Sequence, residues 1–244
     1  MTASTQRFYI GMLIFNGMTN LDFAGPFEVF SRMPDTTVHV IGIDGEPTRS
    51  DVGGMMLPTV TMETCPALDL FFVGGGLGVN PLMEDERVLD FIASASARAS
   101  WITSVCTGAL LLGAAGLLDG YRAATHWTAM EVLPLLGAIP VHERVVIDRN
   151  RVTGGGVTAG IDFGLTIAAL LHGEHIAQVI QLGMEYDPKP PFQVGSPRVA
   201  QRALIDEVSR RAQPMTDERV AAAQRLAPRL TALRNTQTRA VTGR

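Results

Sequence analysis

Apolar residues fall along this chain in two kinds of block. Short runs in which nearly every residue is apolar alternate with longer stretches whose apolar positions are three and four apart. The first pattern suits strands buried on both faces, and the second suits helices that cover them. Residues 8–15 predict a buried strand, and residues 16–20 are turn-like. Leu21-Asp22-Phe23-Ala24-Gly25-Pro26 leads into a helix through about residue 33, and residues 37–43 predict a second strand. A Gly-Gly pair within residues 51–56, between two short extended pieces, predicts a hairpin. Residues 68–73 give another buried strand, ending in Gly74-Gly75-Gly76-Leu77-Gly78. Asn80-Pro81 then opens a helix with Val88, Ile92, Ala95 and Ala99 on one face.

Residues 101–105 predict a strand with Cys106 directly after it. A helix over 107–118, closed by Gly120, follows, and then a short helix over 128–136. Residues 144–153 predict a hairpin turning at Asp148-Arg149-Asn150, and residues 157–171 a long apolar helix after Gly154-Gly155-Gly156. Strands alternating with helices predict an α/β fold whose mainly parallel sheet is flanked by helices on both faces. Residues 1–197 are expected to form the α/β domain, and residues 198–244 a helical extension packed on it, with the last ten residues frayed.

Composition narrows the function classes. The chain has 244 residues, 46% of them hydrophobic and 6% aromatic, which fits one large core of Ala, Leu, Val and Ile. Its longest apolar stretches, such as residues 109–118, are too short and Gly-rich to span a bilayer. Residues 1–15 lack the basic start and cleavage site of a signal peptide, so a cytoplasmic protein with no membrane partner is expected. A reducing compartment would keep Cys65 and Cys106 as thiols. No Cys pair at ligand spacing and no H-E-x-x-H occurs, so no metal is expected. The single lysine, Lys189, leaves Schiff-base chemistry almost without a candidate.

The net charge of −4 is unevenly spread: from Lys189 onward, eleven basic residues face four acidic ones. A basic tail can touch nucleic acid or an acidic partner. However, Arg198, Arg202, Arg210, Arg211, Arg219, Arg225 and Arg229 recur at roughly helical spacing with apolar residues between them. That pattern predicts a solvated helix face on the body of the domain, with no nucleic-acid partner.

Ser104-Val105-Cys106-Thr107-Gly108 lies where a strand hands over to a helix. Ligands bind at the carboxyl ends of strands in such sheets, and a nucleophile on this turn is strained and exposed. The first amides of the following helix favour a thiolate, so a depressed thiol pKa is expected. The plainer alternative is a small buried core cysteine. Asp22, between Leu21 and Phe23, either caps a helix or does proton chemistry. The loop 74–78 can aim backbone N–H groups at developing charge, but it lacks the Gly-x-Gly-x-x-Gly order of a dinucleotide site. Residues 154–156 serve anion contact or tight helix packing, and His126 is a site residue or a satisfied core histidine. Cys65, beside Pro66, reads as incidental.

Leu21-Asp22-x-x-Gly25-Pro26, the triple-glycine loop, Ser104-Val105-Cys106-Thr107-Gly108, Thr125-His126-Trp127 and the stretch from Gly154 to Asp162 together resemble the isocyanide hydratases. These belong to the PfpI-type superfamily, which shares the fold of the class I glutamine amidotransferases. The similarity runs from about residue 8 to residue 196. Peptidase- and deglycase-like relatives usually carry His after the nucleophile, where this chain has Thr107. Related AraC-type regulators continue into a DNA-binding helix-turn-helix pair for which this chain is too short.

The resemblance implies a homodimer with its site near the subunit interface, acting on a small-molecule isocyanide with no metal or organic cofactor. It implies Cys106 as nucleophile, Asp22 as proton donor and Thr107 as holder of the sulfur or a water. Gly75, Gly76 and Val157 are expected to line the substrate pocket. A glyoxalase- or deglycase-like thiol enzyme and a cysteine-based redox sensor are the alternatives.

Overall fold

The computed structural model describes residues 7–242, with side chains to residue 236. The chain opens with β1 (Phe8–Ile14), α1 (Asn20–Phe30) and β2 (Thr36–Gly42). Next come the antiparallel pair β3 (Thr48–Arg49) and β4 (Met55–Met56), and the short β5 (Val60–Thr61). The predicted Gly-Gly hairpin is this pair. Then follow β6 (Leu70–Val73), α2 (Val79–Leu82), α3 (Glu86–Arg98), β7 (Trp101–Val105) and α4 (Gly108–Ala114). After β8 (Arg122–Ala123), a 3₁₀ segment over Trp127–Leu136 leads to β9 (Ile139–Pro140). β10 (Val145–Asp148), β11 (Arg151–Gly154), α5 (Ala159–His172), α6 (Glu174–Gly183), α7 (Arg202–Arg225) and α8 (Ala227–Thr242) complete the fold.

Seven strands form the central sheet in the order β10-β11-β7-β6-β1-β2-β5, and only the β10–β11 pairing is antiparallel. β6 is buried throughout and β1 from Ile10 onward, as strands covered on both faces must be. One helical layer groups α1, α5 and α6, and the other groups α3, α4, the 3₁₀ segment, α7 and α8. The expected mainly parallel α/β sandwich is therefore the observed architecture. β2 follows β1 on one side, whereas β6 returns on the other, so the order reverses between β1 and β6. A crevice opens at the carboxyl ends of strands at such a point.

Several boundaries differ from the sequence reading. Asn80-Pro81 sits inside the four-residue α2, and α3 begins later, where the Asp85 carboxylate accepts from the Arg87 and Val88 amides at 3.0 and 3.3 Å. A short polar side chain that can satisfy two orphan amides defines the helix start better than the proline does. α4 stops at Ala114 and the chain turns through Gly116 at φ 77°, four residues before the predicted Gly120. The predicted short helix over 128–136 is a 3₁₀ segment over Trp127–Leu136, with Pro134 unable to donate inside it. α8 runs to Thr242, and of the last ten residues, expected to fray, 243–244 lie outside the described residues.

The arginine-rich tail is tied to the body by named pairs. Arg225 reaches Glu84 at 2.6 Å, Arg229 reaches Asp90 at 2.6 Å and Arg198 donates to the His142 carbonyl at 3.0 Å. Arg219 departs from the expected solvated face: it is only 5% exposed, and its Nε donates to Asn80 Oδ1 at 2.8 Å.

Candidate active site

The parallel register puts the ends of β1, β6, β7 and β11 side by side, with Leu13 opposite Val73, Val73 opposite Ser104 and Val105 opposite Gly154. The loops leaving those four strands therefore meet at one edge. They carry Asp22, Gly75 and Gly76, Cys106 and Thr107, and Val157. The fold brings all six predicted positions into one cluster.

Cys106 adopts φ 53°, a left-handed conformation that costs a non-glycine residue energy and persists only when its surroundings enforce it. Its N–H donates to the carbonyls of Gly155 and Gly154 at 2.9 and 3.1 Å, and its own carbonyl accepts from Thr125 Oγ1 at 2.8 Å. The side chain is thereby held under the start of α5, where the Val157 and Thr107 amides donate to the sulfur. Only 5% of the residue is exposed. Burial first, and then the Asp22 carboxylate, push the thiol well above the ordinary thiol range despite those two amides. This reverses the expected depression: desolvation outweighs the helix-end amides, so the resting group is a thiol.

Asp22 lies in the first turn of α1, but Thr19 holds the N-cap position. The Asp22 carboxylate instead turns across the crevice, where Oδ2 accepts from the Gly75 amide at 2.9 Å. Oδ1 is buried and carries no hydrogen-bond partner. Burial pushes this carboxyl up to about 6, against the pull of the Cys106 thiol and the Gly75 amide, with the Asp51 charge adding to the rise.

The triple-glycine loop serves this carboxyl and its neighbour. Gly76 donates to Thr107 Oγ1 at 3.0 Å, so the amides expected to line an open pocket are already bound to Asp22 and Thr107. A Cβ on Gly75 would lie 2.5 Å from the Thr107 nitrogen and 2.9 Å from Asp22 Oδ2, closer than any side chain tolerates. Glycine here lets the loop lie flat on both residues.

Val157 ends the loop before α5, and a second cluster holds that helix start in place. The Arg144 guanidinium pairs with Asp162 and donates to the Thr158 carbonyl at 3.0 Å, while Tyr186 donates to Asp162 Oδ1 at 3.2 Å. Nothing in the spacing of Arg144, Asp162 and Tyr186 signalled this latch, because its members come from three separate stretches of the chain. His126 bonds Thr128 Oγ1 through Nδ1 at 2.8 Å and presses on Gly156. Burial, and then the charge of Arg219, hold it below the ordinary histidine range, so it is neutral at pH 7.

A cavity of about 340 Å³ abuts the elbow, and Thr125, Gly155 and Val157 are among its lining residues. Cys65 precedes β6, at the opposite edge of the sheet, with its thiol directed to the Pro66 carbonyl at 3.5 Å. Among the described residues, no group of three or more His, Cys, Asp or Glu side chains could hold a metal ion, and no helix is long and apolar enough to cross a membrane.

The pattern of the DJ-1/PfpI family matches residues 9–170. An isonitrile hydratase from Pseudomonas putida is 52% identical over 221 residues, covering 91% of this chain and 97% of its own length. A solved THiJ/PfpI family protein from Pseudomonas syringae superposes with a TM-score of 0.88 at 42% identity, over 89% of this chain and 91% of that one. Drosophila melanogaster DJ-1beta, at 22% identity and a TM-score of 0.66 over 74% of this chain and 98% of its own, shares the fold.

Proposed function

Since the chain belongs to the DJ-1/PfpI family, we propose that it hydrates isocyanides, R–N≡C, to N-substituted formamides through a covalent intermediate on Cys106. Isonitrile is another word for isocyanide, and the 52% identity to the Pseudomonas putida hydratase spans nearly the whole of both chains. The geometric observation that carries the mechanism is a buried thiol beside a buried carboxyl whose Oδ1 has no partner. Asp22 and the Val157 and Thr107 amides act on that thiol directly, and the Arg219 charge is close enough to interact with it.

The chemistry fits such a pair. The terminal carbon of an isocyanide must gain both a nucleophile and a proton. As the Cys106 sulfur bonds to that carbon, its proton passes to Asp22, and the carboxyl then protonates the same carbon. The product is the thioimidate, Cys106–S–CH=N–R. Water next adds to this carbon, one of its protons going through Asp22 to the nitrogen. The C–S bond breaks, the remaining hydroxyl proton returns to the pair, and R–NH–CHO leaves. Atoms balance as isocyanide plus water. The Val157 and Thr107 amides support the sulfur while it carries charge, and Gly75 and Gly76 act by holding Asp22 and Thr107.

Family resemblance extends the proposal to a cytoplasmic homodimer with its site near the subunit interface, and to residues 198–244 as an extension of a catalytic unit spanning 1–197. Formamide formation from phenyl isocyanide, followed for wild type and Cys106→Ala, tests the assignment. Turnover that disappears in the variant is the expected result. An active Cys106→Ala would remove the covalent route, and an inactive wild type with Cys106 reduced would leave a different thiol chemistry.

A further inference from the structure

Resting on that hydration, we infer that the cavity beside Cys106 holds the substituent R of the isocyanide. It takes an uncharged aromatic or branched alkyl group, and Trp127 sets the upper limit on its size. The –N≡C group is a linear rod, and its carbon must touch a sulfur on a residue that is only 5% exposed. The substituent therefore has to lie in the next space outward. The cavity of about 340 Å³ is the neighbouring space: Cys106 and Asp22 are not in its lining, but Val157, whose amide donates to the sulfur, is, as are Thr125 and Gly155, which bond the Cys106 backbone.

The walls define the chemistry. Trp127, Met130, Val141 and Pro197 are apolar lining residues. The two cationic ones are engaged elsewhere: Arg144 is bound to Asp162 and Thr158, and Arg198 to the His142 carbonyl, with Glu143 at 4.0 Å. A negatively charged substituent would lose its hydration without gaining an uncompensated cation. An uncharged one gains apolar contact at no such cost.

The size limit comes from a neighbouring space. A second cavity of about 430 Å³ lies between the 3₁₀ segment and α7, bordered by Glu131, Pro134, Ser209 and Gln213. Trp127, Met130 and His142 line both. Trp127 is the largest of the three, so shortening it removes the most material from the wall that the two spaces share.

The test measures kcat/KM for methyl, phenyl, 4-biphenylyl and carboxymethyl isocyanides on wild type, Trp127→Ala and the milder Met130→Ala. Wild type should prefer phenyl to biphenylyl by about tenfold or more, on the scale of a poorly fitted hydrophobic group. The variants should shift that ratio towards biphenylyl by a similar factor, with the carboxymethyl compound poor throughout. An unchanged ratio in both folded variants, or a preferred carboxymethyl substrate, overturns the inference while leaving the hydratase assignment intact. Quenching of Trp127 fluorescence by N-phenylformamide reads occupancy without turnover. Quenching in wild type that Trp127→Phe abolishes supports the subsite, and its absence counts against it. If no isocyanide is turned over, the reaction assignment falls and the quenching result alone decides the cavity.

Discussion

Asp22 and Cys106 are two acids in a place that opposes both their charges, so above pH about 6 the pair holds a single proton. Below that pH it holds two, and the carboxyl can no longer take the thiol's proton. The acid limb of kcat/KM should therefore fall near pH 6, a value belonging to the pair rather than to either residue. Asp22→Asn should lower the rate by roughly two orders of magnitude. Its effect on stability runs the other way. A carboxyl raised above its unfolded value contributes stability that is fully present below the unfolded pKa and lost as pH rises through the folded one. The window here runs from 3.8 to about 6. Asp22→Asn should gain on the order of 3 kcal/mol against urea at pH 7, and little near pH 4. A variant that keeps full activity, or gains no stability at pH 7, would return Asp22 to an ordinary helix residue. Position on a strand-to-helix turn made Cys106 legible in the sequence. The direction of its pKa was not, because helix-end amides follow from local order whereas burial depends on what the rest of the chain lays over the sulfur.

At the scale of elements, the distance between α1 and α5 decides whether Asp22 and Val157 face the same sulfur. Small residues set that distance. A Cβ on Gly160 would meet Pro26 Cδ at 2.9 Å, and one on Gly25 would meet Ile161 at 3.3 Å. The Leu-Asp-x-x-Gly-Pro stretch is thus a helix-packing surface that carries an acid at its near end. Gly160→Leu should wedge the helices apart, lower the unfolding midpoint by several degrees and reduce turnover together with it. A fully active, equally stable Gly160→Leu would show that the crossing has slack. Strand positions were legible because uninterrupted apolar runs mark strands buried on two faces. Helix ends were not, since Asp85, Gly116 and Pro134 act through caps and turns that single-residue punctuation does not rank.

Across the whole molecule, the tail from residue 198 onward completes one helical layer by packing α7 and α8 on the 3₁₀ segment and α7 on α2. Of the seven arginines expected on its solvated face, Arg219 alone is buried. Arg202 pairs with Asp206 in the open, whereas Arg219 passes inward to Asn80 beside the 74–78 loop. Arg219→Met should cost on the order of 2 kcal/mol, because Asn80 Oδ1 loses a charge-assisted partner. Arg202→Ala should stay within about 0.5 kcal/mol. Equal effects in chemical denaturation would contradict the distinction. Helical spacing identified the tail as amphipathic, but it could not show that Arg219 faces inward. That orientation depends on α7 meeting the 3₁₀ segment, where Thr216 Oγ1 donates to the Thr128 carbonyl at 3.1 Å.

The site is assembled from residues 22, 75, 106 and 157 at the ends of four strands. On the ribosome, Cys106 emerges some fifty residues before Val157 and far ahead of Arg219. A nascent or prematurely released chain therefore carries the cysteine as an ordinary thiol: Asp22 is already made, but the Val157 amide and the fold that enforces the left-handed turn are not. Regain of turnover after dilution from denaturant becomes a reporter of global folding rather than of any one element, and half-made copies in a cell are catalytically silent.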